Sequence, residues 1–157
     1  MTVKKWITII LVIMLSCSLA GCGVLVGKQT NIPMPNKWGI TLELQDITPV
    51  SLTMVCTQSG GEGIVELQTG RPYVIQKWKN GEWVDLDCIP PEYNIAWPMD
   101  AWPVEEGSTN TWEVNWEWLY GELRPGEYRI AREFDNMKAP GDYETETIYA
   151  EFVLEKG

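Results

Sequence analysis

Two tryptophans on either side of a short turn are suited by type and spacing to ligand binding. Trp78 and Trp83 flank Asn80-Gly81, and both turn residues tolerate the positive φ angles of a two-residue type I′ hairpin turn. This register places Trp78 directly opposite Trp83. The polar residues predicted on the same face are Gln76, Asp85 and Asp87. Such a face favours stacking on a sugar ring or a peptide; alternatively, the pair only stabilises its hairpin or is covered by the connection 89–110.

A second aromatic patch is predicted within that proline-rich connection. Trp97 and Trp102 each precede a proline, and together they could line a binding site. Tryptophans in loops also commonly plug the end of a β-sandwich, so packing is the competing interpretation. Eight of the nine tryptophans follow residue 21, which is well above the ordinary proportion and indicates that large rings have a role.

Catalytic chemistry finds little support in the composition. The chain has no histidine, the side chain most often used for proton transfer and metal binding at neutral pH. A glycosidase needs only two carboxylates at a fixed separation, but acidic residues on strands usually form a solvated face. Asp85, Asp87 and Glu105-Glu106 could hold calcium, yet there is no EF-hand-like loop. We therefore expect no enzyme, no metal site and no cofactor.

The acidic composition also limits the classes of partner. The chain has 12 basic and 22 acidic residues, a net charge of −10 at pH 7. Removal of residues 1–21 would take away Lys4 and Lys5 and leave 10 basic residues against 22 acidic ones, a net charge of −12. Because the phosphates of nucleic acid would be repelled, we expect no nucleic-acid partner and no electrostatic attraction to anionic lipid.

The N-terminal residues have the order of a secretory signal. Lys4 and Lys5 precede the apolar run 6–15, which is followed by Ser16-Cys17-Ser18. An uncleaved membrane-spanning helix is the alternative, because no charge occurs between Lys5 and Lys28 and a span needs ~20 residues. Both interpretations place the rest of the chain outside the cytoplasm, since the lysines stay on the cytoplasmic side.

The stretch Leu19-Ala20-Gly21-Cys22 resembles the lipobox of bacterial lipoproteins. The resemblance implies a signal peptide at 1–21, cleavage before Cys22 and a lipid on its thiol, which would anchor the protein to the cell membrane facing outward. Otherwise Cys22 is a small apolar residue in a helix. Residues 22–37 contain Gly, Asn and Pro with little periodicity, and are predicted to form a flexible tether.

Two cysteines remain for the folded part of the chain. Cys56 and Cys88 would lie in a compartment that permits disulfides, and both are on predicted inward faces. A bond between them would close a loop of about 33 residues and stabilise the fold by about 3–4 kcal/mol. Two separate small core residues are the alternative.

From Gly39 onward the apolar residues recur with a period of two, which is typical of half-buried strands. The predicted inward-facing residues include Ile40, Leu42, Leu44, Leu52, Met54, Ile75, Trp112, Val114, Trp116, Trp118, Ile148, Ala150, Phe152 and Leu154. Six or more such strands separated by turns indicate an all-β chain, an antiparallel β-sandwich at 38–157.

A Pro-Gly turn directly precedes a strand that opens with Tyr128, which is similar to the tyrosine corner of immunoglobulin-type sandwiches. Arg129 and Arg132 lie three apart on that strand and are predicted to face opposite sides, each in a surface ion pair. The strand pattern and this similarity together predict an all-β fold, an immunoglobulin-like antiparallel β-sandwich after a lipoprotein signal peptide.

Residues 38–155 resemble the bacterial immunoglobulin-like domains carried on Gram-positive lipoproteins. The stretches that carry the resemblance are YVIQK at 73–77, GEW at 81–83, WEWLYG at 116–121, PGEYRI at 125–130 and AEF at 150–152. It implies a fold but no agreed catalytic or binding residues. The expected function is a non-catalytic module that binds a cell-wall polysaccharide or a protein.

A fainter similarity to immunoglobulin-like bacterial proteinase inhibitors suggests an alternative function by analogy of fold. An inhibitor would have to present a rigid exposed loop, and 89–110 is the candidate. A structural accessory domain without a ligand, whose tryptophans all belong to the core, is the other alternative.

Overall fold

Antiparallel strands make up most of the described chain, which comprises residues 25–91 and 95–156 of this computed structural model. The predicted signal peptide and the predicted lipidation site, Cys22, lie outside the described residues. The elements are β1 (Leu25–Gln29), β2 (Ile40–Gln45), β3 (Ser51–Gln58), β4 (Leu67–Thr69), β5 (Val74–Lys79), β6 (Glu82–Asp85), β7 (Trp102–Pro103), β8 (Thr109–Asn115), α1 (Glu117–Tyr120), β9 (Gly126–Ala139) and β10 (Asp142–Lys156). No helix within these described ranges is long and apolar enough to cross a bilayer.

Two sheets pack face to face around one core. The larger sheet has the order β1-β10-β9-β4-β7, with the β5-β6 hairpin also paired to β9, and the smaller sheet has the order β2-β3-β8. Alternate side chains of both sheets point inward, as period-two strands require. The buried residues include Ile40, Leu42, Leu44, Leu52, Met54, Val114, Tyr128, Ile130, Phe134, Ala150, Phe152 and Leu154. The predicted antiparallel β-sandwich is confirmed.

The hairpin forms in the predicted register. Trp78 pairs with Trp83 across the turn, and the turn residues Asn80 and Gly81 have φ angles of 52° and 90°. Positive φ at both positions is what a type I′ turn needs. Ile75 is fully buried on the opposite face of β5, so the hairpin presents one face to the core and the tryptophans to the outside.

The turn before β9 forms the predicted tyrosine corner. The Tyr128 hydroxyl donates a hydrogen bond to the Arg124 carbonyl over 2.7 Å, and its ring stacks on Phe152 with a centroid separation of 5.6 Å. Because this contact ties the turn to the core, it sets where β9 begins.

Trp118 does not continue the strand that the alternation predicts. Strand β8 ends at Asn115, whose side-chain oxygen accepts a hydrogen bond from the Glu117 amide, and α1 follows. Two residues along a helical turn point to nearly opposite sides, so Trp116 is fully buried whereas Trp118 is 48% exposed. The prediction that Trp118 belongs to the core is wrong for this reason.

Part of the predicted tether is a strand. Leu25–Gln29 form β1, which pairs with β10, and the Gly27 amide donates to the Ile47 carbonyl over 3.2 Å. Any side chain at Gly27 would overlap Ile47. The Gln29 side-chain oxygen accepts a hydrogen bond from the Leu44 amide at 2.7 Å. Backbone pairing covers the edge of β10, which would otherwise expose unpaired groups.

No disulfide joins Cys56 to Cys88 in the described structure. Cys56 is fully buried in β3, where burial raises the pKa of its thiol to about 12. Cys88 is half-buried beyond the end of the hairpin and interacts with Tyr120. The two thiols thus pack separately, one in the smaller sheet and one beside α1.

Candidate functional site

The predicted hairpin residues do come together on the outside of the larger sheet. Trp78 and Trp83 pack edge to face, with ring centroids 5.0 Å apart and an interplanar angle of 61°. Trp78 is 40% exposed, and Trp83 is half-buried. Gln76 pairs with Asp85 across the same hairpin face. We call the surface formed by these four residues together with Arg129 and Tyr149 the outer platform.

A chain of hydrogen bonds fixes the polar groups of the outer platform. The Gln76 side-chain nitrogen donates to the Asp85 carboxylate over 2.6 Å, and the Arg129 guanidinium donates to the Gln76 side-chain oxygen over 2.5 Å. Arg129, Gln76 and Asp85 therefore each have a hydrogen-bond partner. Asp87 lies beyond the end of β6 and does not take part in these hydrogen bonds.

Arg129 and Tyr149 complete the outer platform, and sequence reasoning did not include them. The Arg129 guanidinium lies 4.8 Å from the Trp83 ring centroid and 4.0 Å from that of Tyr149, which is 42% exposed. The predicted surface ion pair of Arg129 is not formed with any described residue. Only the pairing of β5, β9 and β10 brings these residues together, and no local sequence signal indicates it.

An acidic groove adjoins the platform at Trp83. It encloses about 350 Å³ and runs over β9, β10 and β1. Its lining includes Glu127, Glu151 and Glu155. The outer platform thus combines exposed rings, fixed hydrogen-bonding groups and neighbouring carboxylates.

The other predicted pair, Trp97 and Trp102, lines a separate cleft of about 180 Å³. The Trp97 ring packs edge to face on Tyr73 at 5.3 Å and on Trp118 at 5.5 Å. The Trp102 ring lies 5.4 Å from that of Trp112. We call this hollow, lined also by Arg71 and Arg132, the tryptophan cleft.

Arg71 is paired at the rim of the tryptophan cleft. Its Nε donates to the Asp100 carboxylate over 2.8 Å, and Trp102 Nε1 donates to the same carboxylate over 3.0 Å. Desolvation raises the pKa of Asp100, but the hydrogen bonds from Trp102, Arg71 and the backbone, together with the charge of Arg71, lower it, and the resulting pKa lies below its ordinary value. Asp100 is therefore ionised and neutralises Arg71.

Arg132 is the exceptional group of the tryptophan cleft. It is 2% exposed, and its guanidinium lies 4.9 Å from the Trp112 ring centroid and 5.4 Å from that of Trp102. Two of its nitrogens, Nε and Nη1, have no hydrogen-bond partner among the described residues. Burial lowers the pKa of Arg132 to about 10, so the side chain stays charged at neutral pH. The predicted surface ion pair is wrong, because the rings of β7 and β8 cover this side chain.

Comparison with known families agrees with this architecture, since residues 36–153 match the bacterial Ig-like domain family. The chain belongs to that family. No curated protein and no solved structure matches it. The immunoglobulin-like fold predicted from the sequence is thereby confirmed.

Another hollow of this bacterial Ig-like domain lies away from both aromatic surfaces. It encloses about 660 Å³ beside the glycine-rich loop 60–63 and residues 103–106. Gln58 at its base is fully engaged, since its amide donates to the Trp38 and Gly60 carbonyls and accepts from the Gly107 amide. No cluster of metal-ligating side chains occurs within 25–91 and 95–156.

Proposed function

We propose that this bacterial Ig-like protein is a lipid-anchored, non-catalytic module that binds cell-wall glycan outside the cytoplasm through the outer platform. The observation that carries the proposal is the exposure of Trp78 and Tyr149 above a set of polar groups that are already hydrogen-bonded. A ring fixed in advance loses little side-chain entropy when a ligand stacks on it.

The chemistry of the outer platform suits a glycan. Sugar rings present apolar C–H faces and hydroxyl groups, and sites for such ligands combine aromatic walls with a few placed polar groups. Trp78 and Tyr149 supply the exposed ring surface, whereas the Asp85 and Gln76 side chains offer hydrogen-bonding atoms beside it. The carboxylates of the adjoining groove would accept hydrogen bonds from hydroxyl groups.

The lipid anchor is supported by the signal-like segment and the lipobox resemblance at Cys22. Strand β1 begins at Leu25, so a lipid on Cys22 would hold the sandwich close to the bilayer. Replacement of Cys22 by alanine should abolish incorporation of labelled palmitate. Unchanged labelling of Cys22→Ala would contradict the anchor.

The binding test is cosedimentation of the detergent-solubilised full-length protein with purified insoluble cell wall. The natural protein should pellet with the wall, and the double variant Trp78→Ala plus Trp83→Ala should stay in solution. Tyr143→Ala is the matched control, because Tyr143 is also an exposed aromatic residue of the larger sheet but lies near the far β9-β10 turn.

Lipid vesicles provide the second control, since tryptophan also favours membrane interfaces. Binding to wall and not to vesicles, lost only in the double variant, supports the proposal. Absence of wall binding by the natural protein, or equal binding by the folded double variant, would overturn it.

A further inference from the structure

A buried, charged and unsatisfied guanidinium lies inside a protein with a strong negative net charge. Arg132 is 2% exposed, and its Nε and Nη1 have no partner among the described residues. Buried charges in proteins are normally paired and hydrogen-bonded, because desolvating them otherwise opposes folding. The group therefore calls for a physical explanation.

Within residues 25–91 and 95–156, no anion compensates the charge of Arg132. Burial raises the pKa of both Cys56 and Tyr73, so these neighbours are neutral at neutral pH. The Tyr73 hydroxyl donates to the Asn115 carbonyl over 2.9 Å and is thus engaged. Asp100 is occupied by Arg71 and Trp102. Glu113, an exposed residue, also lines the cleft but makes no ion pair with Arg132.

The two tryptophans against Arg132 leave its donors unused. Trp102 and Trp112 lie over the guanidinium group, and cation–π contacts of this kind use the charge and satisfy no N–H donor. Arg132 is nevertheless one of the residues that line the tryptophan cleft, a hollow of about 180 Å³. Three further walls of the cleft are aromatic, Tyr73, Trp97 and Trp118, and the lining also includes Glu113, Val114 and Asn115.

We propose that the tryptophan cleft binds the carboxylate group of a small organic acid, with Arg132 as the residue that pairs with it. A guanidinium presents parallel N–H donors that match the two oxygens of a carboxylate. The hollow is smaller than common ligand pockets of roughly 300–1,000 Å³, so it admits a carboxylate with a single ring or a short side chain. The flanking rings would stack on that attached group.

This site is independent of the outer platform, since Arg129 and Arg132 lie on opposite faces of the larger sheet. A protein that does not bind cell wall could therefore still bind a carboxylate at Arg132, so the two proposals are tested separately. Conversely, Arg132 variants should not change wall binding through Trp78 and Trp83.

The first test titrates the detergent-solubilised full-length protein with formate at constant ionic strength, with chloride as the control, and follows the thermal unfolding midpoint. Formate is small enough to enter beside Arg132 whichever larger acid is the natural ligand. It should raise the midpoint of the natural protein and leave that of Arg132→Met unchanged. No shift beyond that with chloride, or an equal shift in Arg132→Met, would overturn the proposal.

Two matched ligand pairs then identify the source of the carboxylate. D-glucuronate against D-glucose represents an acidic sugar, and N-acetylphenylalanine against its amide represents a peptide C-terminus. In one of the pairs, the affinity measured by calorimetry should be at least tenfold higher for the acid than for its uncharged counterpart. This preference should disappear in Arg132→Met. Equal affinities within both pairs would overturn the proposal.

Two further variants separate binding from folding. Arg129→Met removes the other arginine of the strand and should keep the formate response. Trp118→Ala removes an exposed wall of the cleft. It should keep the formate response and lower the affinity for the larger acid. If Arg132 only supports the fold, Arg132→Met unfolds at a lower midpoint and formate has no effect on the natural protein, which would also overturn the proposal.

Discussion

Arg129 and Arg132 lie three residues apart on β9, and each contacts two aromatic rings from neighbouring strands. Arg129 is half-buried and donates a hydrogen bond to Gln76, which is itself bonded to Asp85. Arg132 is buried, and two of its nitrogens have no partner. Two arginines of the same strand thus differ: the one on the outer face has a hydrogen-bond acceptor, and the one on the inner face has two donors without an acceptor.

The difference shows what aromatic contacts can and cannot do for a cation. A cation–π contact contributes about 0.5–1 kcal/mol at an exposed site and about 2 kcal/mol when desolvated. Removing a charge from water costs several kcal/mol. Ring contacts therefore add to the stability of the outer platform, whereas at Arg132 they offset only part of the desolvation penalty.

The largest expected loss of stability follows from removing Trp112, one of the two rings that contact Arg132. Trp112→Ala should lower the free energy of unfolding by about 3 kcal/mol, at the low end for a core tryptophan because Trp112 is half-buried. Urea denaturation measures the change. A loss below about 1 kcal/mol would mean that the tryptophan cleft is as peripheral as the outer platform.

Replacing each arginine by methionine should change the free energy of unfolding differently. Arg129→Met should lower the free energy of unfolding by about 1–2 kcal/mol, since it removes a charged hydrogen bond and two ring contacts. Arg132→Met should leave it unchanged or raise it by about 1–2 kcal/mol, because an uncompensated buried charge is replaced by an apolar side chain. Parallel urea titrations measure both, and destabilisation of equal size would contradict the contrast.

A smaller effect is expected at the exposed ring of the outer platform. Trp78→Ala should lower the free energy of unfolding by less than about 1 kcal/mol, because it removes one edge-to-face pair at a 40% exposed position. Thermal unfolding of this variant beside Trp112→Ala gives the comparison. A larger loss would assign Trp78 a structural role and weaken the case for a binding surface.

The smallest expected effect is that of a reductant. Cys56 lies on the inner side near Arg132, and Cys88 lies beyond the hairpin that carries the outer platform, so a disulfide would join the two regions covalently. Because the thiols are separate, dithiothreitol should leave the unfolding midpoint unchanged. A disulfide closing a loop of about 33 residues would instead be worth about 3–4 kcal/mol, which the same scan would detect.

Local features of the sequence determined the strands and turns. The hairpin register follows from Asn80-Gly81 because turn geometry depends only on those residues and their neighbours. The tyrosine corner follows from a Pro-Gly turn just before Tyr128. The period of two likewise identified most of the buried residues, since alternation is a property of the backbone itself.

Tertiary structure alone decided what those elements place together. Arg129 and Tyr149 reach the predicted tryptophans only because β5 and β10 pair with β9, and Arg132 is buried only because β7 and β8 cover it. Strand β1 likewise forms by pairing with β10, more than a hundred residues along the chain. Contacts between distant strands leave no periodicity or motif in either segment, so the sequence by itself determined the sandwich, and the packing of its sheets decided which charges are satisfied.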